Sequence, residues 1–228
     1  MASRKPPAPR KPASKRKPAK PRKRAVPEGS APEPVDDSLA ALRQAAQGCR
    51  RCPLWKPATQ TVFGEGPEDA RVLVVGEIPG DKEDLSGHPF VGPAGKLFDR
   101  ALEELGIDRG AFYVTNAVKH FKFERRGKVR LHRSPDPSEQ AACRLWLEGE
   151  LARIRPDIVV CLGAIAARNV LGTKFKLMQQ RGTWQTLADG TRAFATVHPS
   201  WVLRQRDSAS RAEAYGNFVD DLSLLRDA

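Results

Sequence analysis

The sequence predicts an α/β protein: a three-layer α/β/α sandwich with a central, mainly parallel four-stranded sheet, preceded by a disordered basic tail. Three observations support this class. Four short apolar runs bounded by loop signals indicate buried strands. Segments with apolar residues at helical spacing lie between these runs, and this alternation is typical of a parallel sheet covered on both faces. Polar and Gly-rich segments follow the strand ends, where such sheets bind ligands.

The predicted elements alternate regularly along the chain. The strands are RVLVVG, AFYVTNAV, DIVVCLG and AFATVHP, at 71–76, 111–118, 157–163 and 193–199. The helices lie at 36–47, 93–105, 137–154, 164–171 and 210–225, and Ser134 or Ser138 is the expected N-cap of the third. The loops GEIPGDKED, TNAVKH, LGA and HPSW follow the strands and place a candidate site at one edge of the sheet.

The charge of the chain is concentrated at its N-terminus. Residues 1–24 hold eleven of the 39 Lys and Arg, no acid and six prolines, so the rest is nearly neutral despite a net charge of +12. Such a segment cannot bury a core, and we expect residues 1–35 to be a disordered tail and linker ahead of one domain, 36–228. A cationic arm of this kind attracts nucleic acid, although it could also serve only to solubilise the chain or, in a eukaryote, as an import signal. We expect no membrane partner, because no apolar run is long enough to span a bilayer.

Four cysteines suggest a metal centre. Cys49 and Cys52 form a CxxC turn, Cys143 lies on a predicted helix and Cys161 near the end of a predicted strand. Four thiolates suit tetrahedral zinc or an iron–sulfur cluster. The wide spacing between Cys143 and Cys161 favours a cluster over a zinc ribbon. Core thiols that bind no metal are the third hypothesis.

A Gly-rich loop carries the densest signal. Residues 76–102, GEIPGDKEDLSGHPFVGPAGKLFDRAL, run from a strand to a helix and combine five glycines with several acids. Glycines let a backbone approach a flat ligand closely. The spacing matches neither a P-loop nor a dinucleotide fingerprint, so the loop alone assigns no ligand.

Together with YVTNAVKHFKF, VVCLGAIAA, TVHPSWVLR and the cysteines, this loop resembles the iron–sulfur uracil-DNA glycosylases of family 4. The resemblance covers about residues 40–225. It is closest to the UdgX-type subgroup, which carries an extra basic loop, here Lys128-Val129-Arg130-Leu131-His132. It implies a [4Fe–4S] cluster on Cys49, Cys52, Cys143 and Cys161.

The resemblance also implies how uracil would be bound. Phe90 would stack on the base, Asn116 would pair with its edge, and His198 would donate to O2 as negative charge develops. The backbone around Gly76, Ile78, Gly80 and Asp81 would line the pocket. Core packing for Phe90, a turn for Asn116 and a structural role for His198 are the alternatives.

For the reacting sugar, the resemblance implies that His132 attacks C1′ and remains attached, with Glu77 assisting. Arg130 and Arg133 would depress the pKa of His132 and bind the phosphates beside the flipped nucleotide, and Lys128 would also bind DNA. His132 could instead be a further phosphate contact, and Glu77 a helix cap. The segment from Ser200 to Arg204 would form a minor-groove loop whose apolar wedge is Val202 or Leu203, and Arg204 would bind phosphate.

Two residues depart from the subgroup pattern. Ile78 stands where a glutamine is expected, and His88 where an apolar residue is usual. A hydrolytic enzyme that turns over, or a module that binds DNA without cleaving it, therefore remains an alternative to covalent trapping. The expected partner is uracil-containing DNA, single- or double-stranded, bound by a monomer in the bacterial cytoplasm at the nucleoid.

Overall fold

The computed structural model describes residues 28–226. Its strands are β1 Val72–Gly76, β2 Phe112–Asn116, β3 Phe123–Arg126, β4 Val129–His132, β5 Ile158–Leu162, β6 Gln185–Thr186 and β7 Arg192–Thr196. Five of them form one sheet in the order β2-β1-β5-β7-β6, in which β1, β2, β5 and β7 are parallel neighbours, as predicted. The predicted α/β class with a mainly parallel sheet is confirmed.

Helices cover both faces of this sheet. One core packs β1, β5 and β7 against residues of the first, fourth and fifth helices, with Trp146 fully buried. The other core joins the opposite sheet face to the third, seventh and eighth helices through Phe98 and Phe218. The helices are α1 Leu39–Gln47, α2 Asp81–Ser86, α3 Pro93–Glu104, α4 Pro137–Ile154, α5 Ala164–Val170, α6 Leu177–Gln180, α7 Pro199–Leu203 and α8 Ser208–Leu222.

Strand β6 was not predicted. It has only two residues, Gln185 and Thr186, and pairs antiparallel with β7 at the sheet edge. Neither residue is apolar, so the strand has no hydrophobic pattern that sequence analysis could detect.

The basic loop is a β-hairpin rather than a flexible loop. Strands β3 and β4 pair from Phe123 opposite His132 to Arg126 opposite Val129, as a separate two-stranded sheet. Gly127 takes a left-handed φ of 59° at the turn, which a glycine adopts without strain. The pairing therefore fixes the position of His132 at the end of β4.

The start of α4 also differs from the prediction. Its N-cap is Asp136, not Ser134 or Ser138, and Asp136 and Glu139 form a reciprocal capping box. Pro137 occupies the first turn, where its missing N–H costs nothing. Serine and aspartate cap helices about equally well, so composition alone did not select between them.

Part of the expected linker lies against the domain. Gly29 N donates to Arg50 O, Arg50 N donates to Ser30 O, and Glu28 pairs with Lys56. The predicted disordered tail falls on residues 1–27, which lie outside the described range. None of the helices within 28–226 combines the length and hydropathy needed to cross a bilayer.

Candidate active site

An inner pocket of about 260 Å³ lies at the carboxyl edge of the sheet. It brings together residues from four separated segments: the loop after β1, the end of β2, the hairpin and the start of α7. The predicted site residues that line it are Ile78, Gly80, Asp81, Phe90, Asn116, His132, His198, Ser200, Leu203 and Arg204.

Gly76 lies directly behind Asn116 and Phe90, two of the residues that line this pocket. Gly76 and Asn116 are paired neighbours at the ends of β1 and β2. A side chain at Gly76 would overlap Asn116 Oδ1 and approach the Phe90 ring to 2.7 Å. Glycine at this position therefore allows an aromatic ring and a carboxamide to meet in one pocket.

Phe90 is held in an uncommon backbone conformation. Its φ is 58°, in the left-handed region that bulky residues rarely adopt. Its ring packs on Phe98, with centroids 5.9 Å apart, and lies 6.5 Å from the His198 ring at an interplanar angle of 28°. Backbone strain of this kind persists where the surroundings impose it, often at binding sites.

A buried ion pair supports Asn116. Lys119 Nζ donates to the Asn116 carbonyl at 2.7 Å, to Thr115 Oγ1 at 2.6 Å and to Glu150 Oε2 at 2.5 Å. Lys119 and Glu150 are both fully buried, so each charge depends on the other. Sequence analysis missed this pair, because the two residues are 31 positions apart on different elements.

The hairpin is anchored to α2 through Arg130. Its guanidinium contacts Asp81 Oδ1 and Asp84 Oδ2, both at 2.5 Å. Asp84 is fully buried and also accepts from Thr59 N and Thr59 Oγ1. Arg130 was expected to bind phosphate, but its strongest contacts are with these two carboxylates, and its structural role is to hold β4 against the pocket.

Replacing Arg130 with glutamine should lower the free energy of unfolding by about 2–4 kcal/mol, because the buried Asp84 carboxylate loses its charged partner. The matched control is Arg133→Gln. Arg133 pairs with Glu124 at the surface, where the loss should stay below about 1 kcal/mol. Urea denaturation of both variants measures the difference, and equal losses would refute the anchoring role of Arg130.

His132 lines both the inner pocket and a second, outer cavity of about 380 Å³. Its ring centroid lies 5.9 Å from that of Phe121. Although the residue is exposed at the surface, partial burial of the ring lowers its pKa, and the positive charge of Arg204 lowers it further. A neutral imidazole was expected at His132. The cation that lowers its pKa is Arg204, however, and not Arg130 or Arg133, whose charges are paired with carboxylates.

Glu77 lines the outer cavity together with His132, His198 and Arg204. Its Oε1 accepts from Ile165 N at 3.0 Å, close to Gly163, where φ is 97° and a side chain would overlap the carboxylate. Burial raises the pKa of Glu77, and the backbone hydrogen bond opposes that shift. Glu77 therefore shares one cavity with two imidazoles and has a more basic carboxylate than an exposed glutamate.

His198 is fixed as a neutral donor. Its Nδ1 lies 3.1 Å from Ser200 N, which donates to it, and 2.8 Å from Ser200 Oγ. Burial lowers its pKa to about 3, with smaller effects from His132 and Arg204. With Nδ1 acting as acceptor, the single ring proton lies on Nε2, which can donate to a ligand.

The α7 segment corrects one expectation. Val202 is fully buried in the core of the α3–α8 face and cannot act as a wedge in this conformation. Leu203 is 36% exposed and lines the inner pocket, and the neighbouring Trp201 is 39% exposed. Lys128, at the hairpin turn, is exposed and lines neither cavity.

The four cysteines differ in their surroundings. Burial raises the pKa of Cys143 to about 12. Cys143 lies one turn before Trp146 on α4, and Trp146 contacts Cys49, which brings Cys143 near the CxxC segment. Burial alone raises the pKa of Cys161. Trp146 Nε1 donates to Cys49 Sγ and Lys119 N to Cys143 Sγ, both at 3.2 Å.

His120 lies beside this cysteine group. It lines a cavity of about 310 Å³ with Cys49, and its Nε2 is 2.9 Å from Thr61 Oγ1. Burial lowers its pKa to about 4, which keeps the imidazole neutral, the form that ligates metals. Sequence analysis missed His120, although it follows directly after the TNAVK segment.

Within 28–226, no group of three or more His, Cys, Asp or Glu side chains is close enough to hold a single metal ion. A [4Fe–4S] cubane is larger than one ion and takes its ligands from separate irons, so it needs them farther apart. Three clustered thiols with N–H donors to sulfur fit such a group chemically.

Comparisons with known proteins agree with this site. Residues 63–223 match the model of the Uracil DNA glycosylase superfamily. The chain is 37% identical over 177 residues to the type-4 uracil-DNA glycosylase of Thermotoga maritima, covering 77% of this chain and 88% of that protein. It is 34% identical to the Sulfurisphaera tokodaii type-4 enzyme, covering 73% and 76%, and 40% identical to that of Archaeoglobus fulgidus, covering 58% and 63%. The matched segment contains the whole inner pocket, and the chain therefore belongs to the uracil DNA glycosylase superfamily.

Proposed function

We propose that this protein excises uracil from DNA and becomes covalently attached, through His132, to C1′ of the resulting sugar. One observation carries the proposal: His132 stands at the boundary between the inner pocket, which has the groups to bind a base, and the outer cavity that holds Glu77. The type-4 names of the relatives support uracil as the base.

The inner pocket has the groups that uracil recognition requires. Phe90 offers a ring face for stacking, and the Asn116 carboxamide donates to O4 and accepts from N3–H. Cytosine presents a donor and an acceptor in the opposite order at these two positions. In this amide orientation it leaves both the N–H group and the carbonyl oxygen of the Asn116 side chain unpaired. Asn116 is only 4% exposed, so an unpaired amide there is costly, and uracil is selected over cytosine.

Bond cleavage follows from His198 and His132. The C1′–N1 bond breaks, its electron pair moves to uracil N1, and the developing charge at O2 is met by His198 Nε2–H. A nitrogen of neutral His132 then bonds to C1′, and the alkylated ring loses its remaining N–H proton to Glu77 or to water. Imidazole bound to an anomeric carbon leaves slowly, so the protein stays attached.

A second candidate is hydrolysis with turnover. Glu77 lines an outer cavity large enough for water, and burial raises its pKa. In this reaction water attacks C1′, Glu77 orients it, and free abasic DNA accumulates. The relatives that carry the type-4 name make this the principal alternative.

We further propose a [4Fe–4S] cluster held by Cys49, Cys52 and Cys143, with His120 as the fourth ligand in place of Cys161. Three contacts support this set. Trp146, one turn from Cys143 on α4, donates to Cys49 Sγ; Lys119 N, next to His120, donates to Cys143 Sγ; and His120 lines a cavity with Cys49. When bound, the cluster would supply a structural cross-link between the CxxC segment, α4 and the segment that carries Asn116.

An adduct assay tests the proposal. The protein is incubated with end-labelled strands that are identical except for uracil, thymine or cytosine at one position, and is then analysed on a denaturing gel. We expect a denaturant-resistant complex with the uracil strand alone. Abasic DNA without adduct would establish the hydrolytic alternative, and an unmodified uracil strand would show a binding module.

A further inference from the structure

A lateral groove of about 610 Å³ runs beside the active site between α4 and α5. It shares no lining residue with the inner pocket, and Glu77 is its one residue that takes part in the chemistry proposed above. The polar residues that line it include Glu77, Ser134, Gln140, Arg144, Arg168 and Asn169.

The groove is continuous with the outer cavity. Glu77 and Ser134 line both spaces, so the groove begins where the reacting sugar would lie. A nucleotide whose base occupies the inner pocket has a phosphate on each side of its sugar. At least one of these phosphates, with the strand beyond it, must leave the site through an opening next to C1′.

The charge of the groove suits an anion. Arg144 is exposed, and among residues 28–226 it makes no hydrogen bond or ion pair. Arg168 is also exposed; its Nε donates to Ala164 O at 3.1 Å, and its terminal nitrogens have no partner within the same residues. The one carboxylate that lines the groove, Glu77, already accepts from Ile165 N.

The floor of the groove is polar but uncharged. Asn169 Nδ2 donates to Ile165 O at 2.9 Å and lies 3.3 Å from Gln140 Oε1. A polar floor between two arginines with free N–H groups is typical of a phosphodiester track, because phosphate oxygens accept several charge-assisted hydrogen bonds.

We propose that the lateral groove binds the phosphodiester backbone on one side of the extruded nucleotide, with Arg144 and Arg168 as its cationic contacts. This inference rests on the proposed function, since it takes the sugar position from it. It assigns the groove to the strand that carries the uracil rather than to the opposite strand.

The test uses the full chain and a single strand in which 2′-fluorination makes the deoxyuridine resistant to cleavage. Fluorescence anisotropy gives Kd across a salt series for wild type and R144A/R168A. We expect the slope of log Kd against log salt to fall by about 0.7 per arginine removed, the value for a single-strand phosphate contact. The matched control is R71A, since Arg71 precedes β1 at the opposite edge of the sheet and its exposed pair with Asp157 is far from the groove.

Neutral methylphosphonates, placed one at a time at the three phosphates on each side of the uracil, locate the contact. Wild type should lose affinity at phosphates on one side, and R144A/R168A should show no further loss there. An unchanged salt slope in the double variant, or equal sensitivity of both proteins to every methylphosphonate, would overturn the inference. The charge-reversal variant R144E/R168E tests whether the effect on affinity is electrostatic. It should weaken DNA binding more than the double alanine variant does.

Failure of the two proposals is distinguishable. If wild type excised uracil but the double variant bound as wild type does, only the groove assignment would fall. If wild type neither excised uracil nor preferred it, the proposed function would fall. The salt slopes of the two proteins on an unmodified strand would then decide whether the groove binds phosphates.

Discussion

His132→Ser should abolish the denaturant-resistant adduct, lowering its rate of formation by about a thousandfold or more. The serine hydroxyl is a weaker nucleophile at neutral pH, and it is too short to replace an imidazole that reaches the boundary of the two cavities. The space vacated beside Glu77 can admit water, so the variant should release free abasic DNA. The measurement is a time course of adduct and abasic product on the same denaturing gel.

The matched control is His88→Ser. His88 is another exposed histidine, its Nδ1 pairs with Glu65 Oε2 at 3.0 Å, and it lines neither cavity. This variant should form adduct at the wild-type rate. Mass spectrometry of the wild-type adduct should place the sugar on the peptide that contains His132. An intact adduct in His132→Ser would show that another group attacks C1′.

Under the proposed function, Ile78 should alter how uracil is recognised in this chain. It is 6% exposed and lines both cavities, in a position where the resembling subgroup has a glutamine. An isoleucine side chain offers apolar contact but no hydrogen bond. We therefore expect recognition of the base edge to depend on Asn116, whose backbone carbonyl is held by the buried Lys119–Glu150 pair.

The parts of the fold that could be predicted from sequence share one property: they depend on local pattern. Apolar runs identified the four main strands, and the residues after the strand ends converge on the inner pocket, as in other parallel sheets. The strand β6 could not be predicted, because it exists only through pairing with β7.

The site features that sequence did not provide depend on distant partners. Arg130 looks like a free cation until Asp84, 46 residues earlier, is placed beside it. Within the five-residue helix α7, the burial of Val202 and the exposure of Leu203 follow from how the helix packs on α3 and α8. Motif order cannot show which neighbour faces solvent.

Substitution of the proposed cluster ligands should have the second large effect, on the iron content of the protein. Cys143→Ala should eliminate the proposed cluster, whereas Cys161→Ala should retain it, because Cys143 lies on α4 beside the Trp146 that contacts Cys49, while Cys161 lies within strand β5. Both cysteines are buried, so the two substitutions are matched in the volume they remove. Iron and acid-labile sulfide per chain, together with the visible charge-transfer absorption of the purified proteins, measure the outcome without reference to activity.

Stability should separate the two variants as well. Removing a buried Cys161 thiol leaves a small cavity and should cost about 1 kcal/mol. The cluster would bind the folded chain and not the unfolded chain, so its loss lowers the free energy of unfolding. A loss of even 3 kcal/mol corresponds to a decrease of about 6–12 °C in Tm. Loss of iron from the Cys161→Ala protein would show that Cys161 is a cluster ligand. The four-cysteine set would then be correct, and the assignment of His120 would be refuted.

His120 completes the argument, because a set of three thiolates leaves one iron without a protein ligand. His120→Ala should lower iron content or leave a cluster that loses iron readily to a chelator, whereas His120→Cys should hold it. The rescue by cysteine separates ligation from the hydrogen bond between His120 and Thr61, which a thiol would not reproduce at the same 2.9 Å separation. If His120→Ala kept a full, chelator-resistant cluster, the fourth ligand would have to come from elsewhere in the chain.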